Sequence, residues 1–79
     1  MHITIYTRKD CHLCDEAKSV LQKFASEFPL EIEEVDVDRD SDAVQKYSDE
    51  VPVVFLDGQK LFKYRIDEGK LRRALESRL

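Results

Sequence analysis

The sequence has few of the residues that cross-link or bend a chain: two cysteines, two prolines and two glycines among 79 residues, and no tryptophan. So little glycine and proline, with 42% hydrophobic residues, excludes a low-complexity or disordered chain. There is no excess of basic residues either: the net charge of −4 argues against binding to nucleic acid. No apolar run approaches the ~20 residues of a membrane span. We therefore expect one small domain over residues 1–79, a monomer that binds neither nucleic acid nor membrane.

The few cysteines also bear on the compartment and the chemistry. Residues 1–6 lack the basic start and long apolar stretch of a signal peptide, so a cytoplasmic location is expected. A reducing cytoplasm disfavours stable structural disulfides. Cys11 and Cys14 are the only cysteines and stand three positions apart, too close to join distant parts of a fold. Their spacing indicates redox chemistry or metal binding.

The start of the chain changes from a strand pattern to a helical one. Isoleucines alternate with more polar neighbours over residues 2–6, which predicts a strand. From Cys11 onward, apolar residues recur at helical spacing until Pro29 ends the pattern. Asp10 is the expected N-cap of this helix.

A second strand is predicted over residues 30–37, and its alternation slips between Ile32 and Val35, which is consistent with a bulge or a shifted register. The remaining predicted elements are a short helix over 43–47 capped by Asp40 or Ser41, a strand over 51–56, a hairpin turn at 57–58 into a strand over 59–62, and a last helix capped by Asp67. The order is β-α-β-α-β-β-α, which predicts an α/β fold. Its first two strands are parallel and its last two form an antiparallel hairpin.

The motif Cys11-His12-Leu13-Cys14 directly follows the first strand and opens the first helix. A thiolate at a helix N-terminus meets free backbone N–H groups and the positive end of the helix dipole. Arg8 and His12 add positive charge, while neighbouring carboxylates oppose it. We therefore expect Cys11 to have a lowered pKa and to attack disulfides, and Cys14, more buried, to resolve the mixed disulfide.

Two other interpretations of the cysteine pair stay open. A Cys-x-x-Cys sequence is also half of a zinc site, but only His2 and His12 are further candidates to complete it. Metal or iron–sulfur binding is therefore one alternative, and a non-catalytic interaction domain is another.

Val51-Pro52 is the second informative motif. Proline at the first position of a strand is consistent with a simple strand start. It is also consistent with a cis peptide that turns the Val51 backbone outward, where an extended thiol substrate would bind like an added strand.

The chain resembles the glutaredoxin family of the thioredoxin superfamily, and is most similar to short glutaredoxin-like proteins with a C-H-L-C motif. The matching segments are Tyr6 to Cys14, Val51-Pro52 and Leu56-Asp57-Gly58. The resemblance implies a four-stranded mixed sheet flanked by helices. It also implies an oxidoreductase that carries out thiol–disulfide exchange and electron transport, with protein disulfides or glutathione mixed disulfides as partners. No bound cofactor is expected, and glutathione is a candidate reductant or co-substrate.

The resemblance also assigns roles to single residues. Cys11 matches the family's nucleophile and Cys14 its resolving cysteine. Arg8 matches the basic residue for a glutathione carboxylate, and Val51 the backbone partner of glutathione. The full set of expected substrate-binding residues is Arg8, His12, Val51, the cis-proline Pro52 and the acidic Asp67.

The sequence departs from the family pattern at three places. His12-Leu13 replaces the usual Pro-Tyr between the cysteines, and Glu50 replaces the threonine that commonly precedes Val-Pro. Residues 63–65, Lys-Tyr-Arg, stand where the family has a Gly-Gly pair, at the γ-glutamyl end of its glutathione site.

Overall fold

The computed structural model describes all residues from 1 to 79. The strands are β1 His2–Thr7, β2 Glu31–Asp36, β3 Val53–Leu56 and β4 Gln59–Lys63. The α-helices are α1 His12–Ala25, α2 Ser41–Tyr47 and α3 Glu68–Glu76, and a 3-10 turn at Val37–Arg39 precedes α2.

All four strands belong to one mixed sheet in the order β2-β1-β3-β4. Strands β1 and β2 are parallel because α1 carries the chain back between them, and β3 is antiparallel to both β1 and β4. This topology confirms the predicted α/β fold and its order of elements. It also makes β2 and β4 the two opposite edges of the sheet.

The hydrophobic core covers one face of the sheet. Alternate residues of β1 and β3 point toward α1 and α3, and Ile3 and Ile5 are fully buried. Helix α1 contributes side chains three or four positions apart, which places them on one stripe. The core cluster consists of Ile3, Ile5, Ala17, Leu21, Phe24, Phe28, Val54, Leu56, Phe62, Leu71 and Leu75.

The opposite face of the sheet is covered by α2 through three aromatic rings. The Tyr47 ring centroid lies 4.7 Å from that of Tyr6 and 5.9 Å from that of Phe55. Asp40 caps α2 by accepting hydrogen bonds from the N–H groups of Asp42 and Ala43, as one of the two predictions required.

The irregularity predicted for β2, a bulge or a shifted register, is absent, so that prediction is wrong. Strand β2 pairs with β1 in an unbroken register from His2 opposite Glu31 to Thr7 opposite Asp36. Because β2 is an edge strand with mostly exposed side chains, its hydrophobic alternation is weak without any slip in register. The irregularity lies instead in the β3–β4 pairing, between Val54 and Phe55.

Candidate functional site

The loop after β1 places the two cysteines at the start of α1. Asp10 has a φ of 58°, in the left-handed region that aspartate tolerates better than most side chains. The predicted N-cap at Asp10 is therefore wrong, because an N-cap needs extended dihedral angles. Cys11 has them, with φ −106° and ψ 108°, and is the N-cap of α1.

Cys11 and Cys14 are joined in a disulfide, and their Cα atoms lie 5.2 Å apart. Cys14 lies in the first turn of the helix, so that the two sulfurs meet on one side of it. Cys14 is buried, with 1% of its surface exposed, whereas Cys11 is partly exposed. The predicted difference in burial between the two cysteines is confirmed.

The Cys11 sulfur lies where the helix offers free hydrogen-bond donors. The backbone N–H of Cys14 donates to Cys11 Sγ at 3.1 Å, which is the side-chain capping bond of α1. An anion at this position also interacts with the positive end of the helix dipole. That Cys11 has a lowered pKa when the pair is reduced stays a prediction, and this capping position is consistent with it.

His12 is the first residue of α1, and its side chain is 87% exposed. Its Nε2 atom lies 3.5 Å from Glu16 Oε1, one helical turn further on. The imidazole thus stands at the solvent side of the dithiol, beside a carboxylate.

The Arg8 side chain forms hydrogen bonds with two residues that flank α2. Its Nη2 donates to Asp38 Oδ1 at 2.9 Å and its Nη1 donates to the carbonyl of Ser48 at 3.2 Å. The hydrogen bond with Asp38 raises the pKa of Arg8 and holds the pKa of Asp38 below its ordinary value. Arg8 therefore ties the loop before Cys11 to the 3-10 turn and to the end of α2. Sequence reasoning missed Asp38, because nothing in the acidic run of residues 36–42 marks one carboxylate as the partner.

The Val51–Pro52 peptide bond is cis, as one of the two sequence interpretations required. Tyr6 is opposite Val53 in the antiparallel β1–β3 pair, so that the end of β1 and the start of β3 lie at the same end of the sheet. Neither the N–H nor the C=O of Val51 takes part in a backbone hydrogen bond. Val51 thus has a free backbone donor and acceptor at the end of the sheet from which the chain leads to Cys11.

The two acidic residues noted in the sequence both have partners within the fold. Glu50 Oε1 accepts a hydrogen bond from Lys60 Nζ at 2.8 Å, which lowers the pKa of Glu50. Asp67 is the N-cap of α3, and its Oδ1 accepts a hydrogen bond from the Lys70 N–H at 3.1 Å. The predicted capping role of Asp67 is confirmed, and its role toward a substrate stays a prediction.

No set of three or more His, Cys, Asp or Glu side chains in the chain is arranged to hold one metal ion. None of the three α-helices combines the length and the apolar character that crossing a membrane requires.

A mixed sheet with helices on both faces, a Cys-x-x-Cys pair at the start of its first helix and a cis-proline before β3 define a protein of the thioredoxin fold. The X-ray structure of Fasciola hepatica thioredoxin agrees, with a TM-score of 0.65 and 27% identity over 96% of this chain and 78% of that one. The model of the glutaredoxin-like domain family (DUF836) matches residues 2–76, and the chain belongs to this family.

Two further relatives are similar over nearly the whole chain. The glutaredoxin-like protein YDR286C homolog of Dictyostelium discoideum is 38% identical, over 98% of this chain and 77% of its own. The X-ray structure of protein XcR50 from X. campestris is 32% identical, with a TM-score of 0.77, over 95% of this chain and 96% of that one. The resemblance noted from the sequence is confirmed.

Proposed function

We propose that the protein is a dithiol–disulfide oxidoreductase in which Cys11 attacks the substrate and Cys14 resolves the mixed disulfide. The observation that carries the proposal is the capping position of Cys11, whose sulfur accepts a hydrogen bond from the Cys14 N–H and which is a more exposed residue than Cys14. Membership of the glutaredoxin-like family supports it.

The reaction begins with the reduced pair. The Cys11 thiolate attacks one sulfur of a substrate disulfide, the substrate S–S bond breaks, and the leaving thiolate takes a proton from solvent. Cys14 then loses its proton and attacks Cys11 Sγ, which releases the second substrate thiolate to be protonated in turn. Two electrons pass to the substrate, and the protein is left with the Cys11–Cys14 disulfide that the structure contains. A thiol reductant, such as two molecules of glutathione or a dithiol protein, returns it to the dithiol.

The substrate site is proposed around Val51. An extended segment next to the reacting cysteine would pair with the free N–H and C=O of Val51, as in β-strand addition. Protein disulfides and glutathione mixed disulfides both offer such a backbone. The position of Arg8 weighs against a strong glutathione site, because Arg8 would have to leave Asp38 to bind a glutathione carboxylate. Thiol exchange needs no bound cofactor, and a reducing cytoplasm is the compartment that would regenerate the dithiol.

Three variants test the proposal in a disulfide-reduction assay. C11A should abolish reduction, whereas C14S should stop at a mixed disulfide that is visible by mass spectrometry as an adduct on Cys11. S19A, an exposed change on the same helix, is the matched control and should behave as the wild type. The wild-type protein, poised in redox buffers, should lose and regain two hydrogens reversibly. Disulfide reduction by C11A at the wild-type rate would overturn the proposal.

A further inference from the structure

Charge is distributed unevenly between the two edges of the sheet. Residues 59–79, which form β4 and α3, contain seven Lys or Arg and three Asp or Glu, a net charge of +4. Residues 27–50, which include β2 and α2, contain ten acids and two cations, a net charge of −8. Strands β4 and β2 are opposite edges of the sheet, and three acids from outside residues 59–79 contact cations of that segment, so the basic side has an excess of positive charge smaller than the segment sum.

Four of the seven cations on the basic side, Lys63, Arg65, Lys70 and Arg73, form no ion pair. Lys60, Arg72 and Arg78 form ion pairs with Glu50, Glu27 and Asp57, respectively. Lys63 and Arg65 form none. Lys63 Nζ lies 5.6 Å from the ring centroid of the exposed Tyr64, and Arg65 is exposed in the segment between β4 and α3. Arg65 therefore carries a positive charge without an ion pair, whereas the charge of Lys63 also helps to lower the pKa of Glu50.

Arg65 borders a groove that begins at the dithiol motif. The groove, of about 170 Å³, lies between α1 and the segment before α3 and is lined mainly by apolar residues: Leu13, Glu16, Ala17, Val20, Tyr64, Arg65 and Ile66. Leu13 stands between the two cysteines in the sequence, so that the groove adjoins the redox site. Glu16 is the one acid of the lining, and it lies beside His12.

The segment that contains Tyr64 and Arg65 is hydrogen-bonded to the residues on either side of Val51, where the substrate is proposed to bind. Tyr64 has a φ of 67°, and its N–H donates to the carbonyl of Pro52 at 2.9 Å and to that of Glu50 at 3.3 Å. Those carbonyls flank Val51, whose own backbone groups are free. A segment paired with Val51 would therefore run beside this groove and Arg65, with Lys63 two positions earlier in the chain.

We propose that this groove selects disulfide substrates in which an apolar side chain and a carboxylate stand close to the reacting cysteine in an extended segment of an acidic protein. The apolar side chain would fill the space beside Leu13 and Ile66, and the carboxylate would meet Arg65, which lines the groove, and Lys63, two positions earlier in the chain. The inference rests on the proposed oxidoreductase function and names its substrate class. Glutathione has carboxylates but no apolar side chain to fill the groove.

The test compares four peptides, each carrying one cysteine in a mixed disulfide with the same chromogenic aromatic thiol. Beside the cysteine they contain Leu and Glu, Leu and Lys, Ala and Glu, or Ala and Lys. The wild-type protein should give the highest kcat/KM with Leu and Glu, about threefold to tenfold above Leu and Lys, because one exposed attraction is exchanged for a repulsion. The preference should shrink as ionic strength rises.

Charge reversal at the groove provides the matched comparison. R65E and the double variant K63E/R65E should lose or invert the preference for Glu over Lys. K46E adds the same charge on α2, on the other face of the sheet, at a lysine without an ion pair, and should keep the wild-type preference. Circular dichroism of each variant checks that the fold is intact.

Two results would overturn the inference while leaving the proposed function in place: equal rates for all four peptides, or an identical preference in R65E and wild type. Failure to reduce any peptide, with wild type no faster than C11A, would instead refute the oxidoreductase function itself.

Discussion

At the residue scale, Cys11 combines two roles that are usually carried by different side chains. It is the N-cap of α1 and also the proposed nucleophile, so the hydrogen bond from the Cys14 N–H that starts the helix also contacts the reactive sulfur. The sequence predicted the pair and its difference in burial but assigned the cap to Asp10. Aspartate is a more common N-cap than cysteine. Asp10 is not the cap here because its φ is left-handed, and the next residue, Cys11, caps the helix instead.

Because Cys11 has both roles, substitutions at residue 11 should affect the stability of the helix and the reductase activity differently. In reducing buffer, C11S should be at least as stable as the wild type, because serine is a preferred N-cap. C11A should lose about 1 kcal/mol of unfolding free energy relative to C11S. Both variants should lack disulfide reductase activity. Urea unfolding of the reduced proteins gives the comparison, and equal stability of C11A and C11S would show that residue 11 does not cap the helix.

At the scale of elements, hydrophobic period was sufficient to predict the order of strands and helices. Central strands such as β3 are uniformly apolar, and α1 has a clear apolar stripe, so their types could be predicted from the sequence. The edge strand β2 has exposed acids on both faces, and its pattern therefore carried too little information to exclude a bulge. The pairing of Arg8 with Asp38 was not predictable either, because it joins residues 30 positions apart that only the fold brings together.

Asp67 is an element-scale test, because capping α3 and binding a substrate make different demands on it. D67A should lose about 1 kcal/mol of unfolding free energy, since the Lys70 N–H loses its acceptor. D67N should keep nearly all the stability, because asparagine is an equally good N-cap. If Asp67 only caps the helix, D67N should also reduce glutathione mixed disulfides at the wild-type rate. A loss of that activity in the stable D67N variant would indicate a charge-dependent role toward the substrate.

At the scale of the whole molecule, exposed ion pairs connect segments that are distant in the sequence. Arg8–Asp38 joins the loop of the dithiol to the 3-10 turn before α2, Lys60–Glu50 joins β4 to the cis-proline segment, and Lys23–Glu68 joins α1 to α3. The paired cations are distributed over the chain. Arg65 forms no ion pair, and its position in the lining of the groove becomes evident only in the folded protein.

These contacts predict how stability depends on acidity. The pKa values of Asp38 and Glu50 are lowered from their ordinary 3.8 and 4.5 by hydrogen bonds with Arg8 and Lys60. The unfolded chain therefore binds more protons, so the stabilisation is complete above these ordinary values and is lost as the pH falls through the lowered ones. Urea midpoints of wild type should drop on acidification below 4.5. The double variant D38N/E50Q should show a smaller drop, because it lacks both carboxylates. Superimposable pH profiles of the two proteins would contradict this prediction.

The proposed activity depends on the start of α1 stabilising a thiolate on Cys11, which a titration of that thiol measures. In C14S the only thiol belongs to Cys11, and its ionisation can be followed by the ultraviolet absorbance of the thiolate, with C11S reporting on Cys14 as the matched control. We expect the pKa of Cys11 to lie clearly below the value of about 8.5 for free cysteine, and below the pKa of Cys14. A Cys11 pKa at or above that of free cysteine would contradict it.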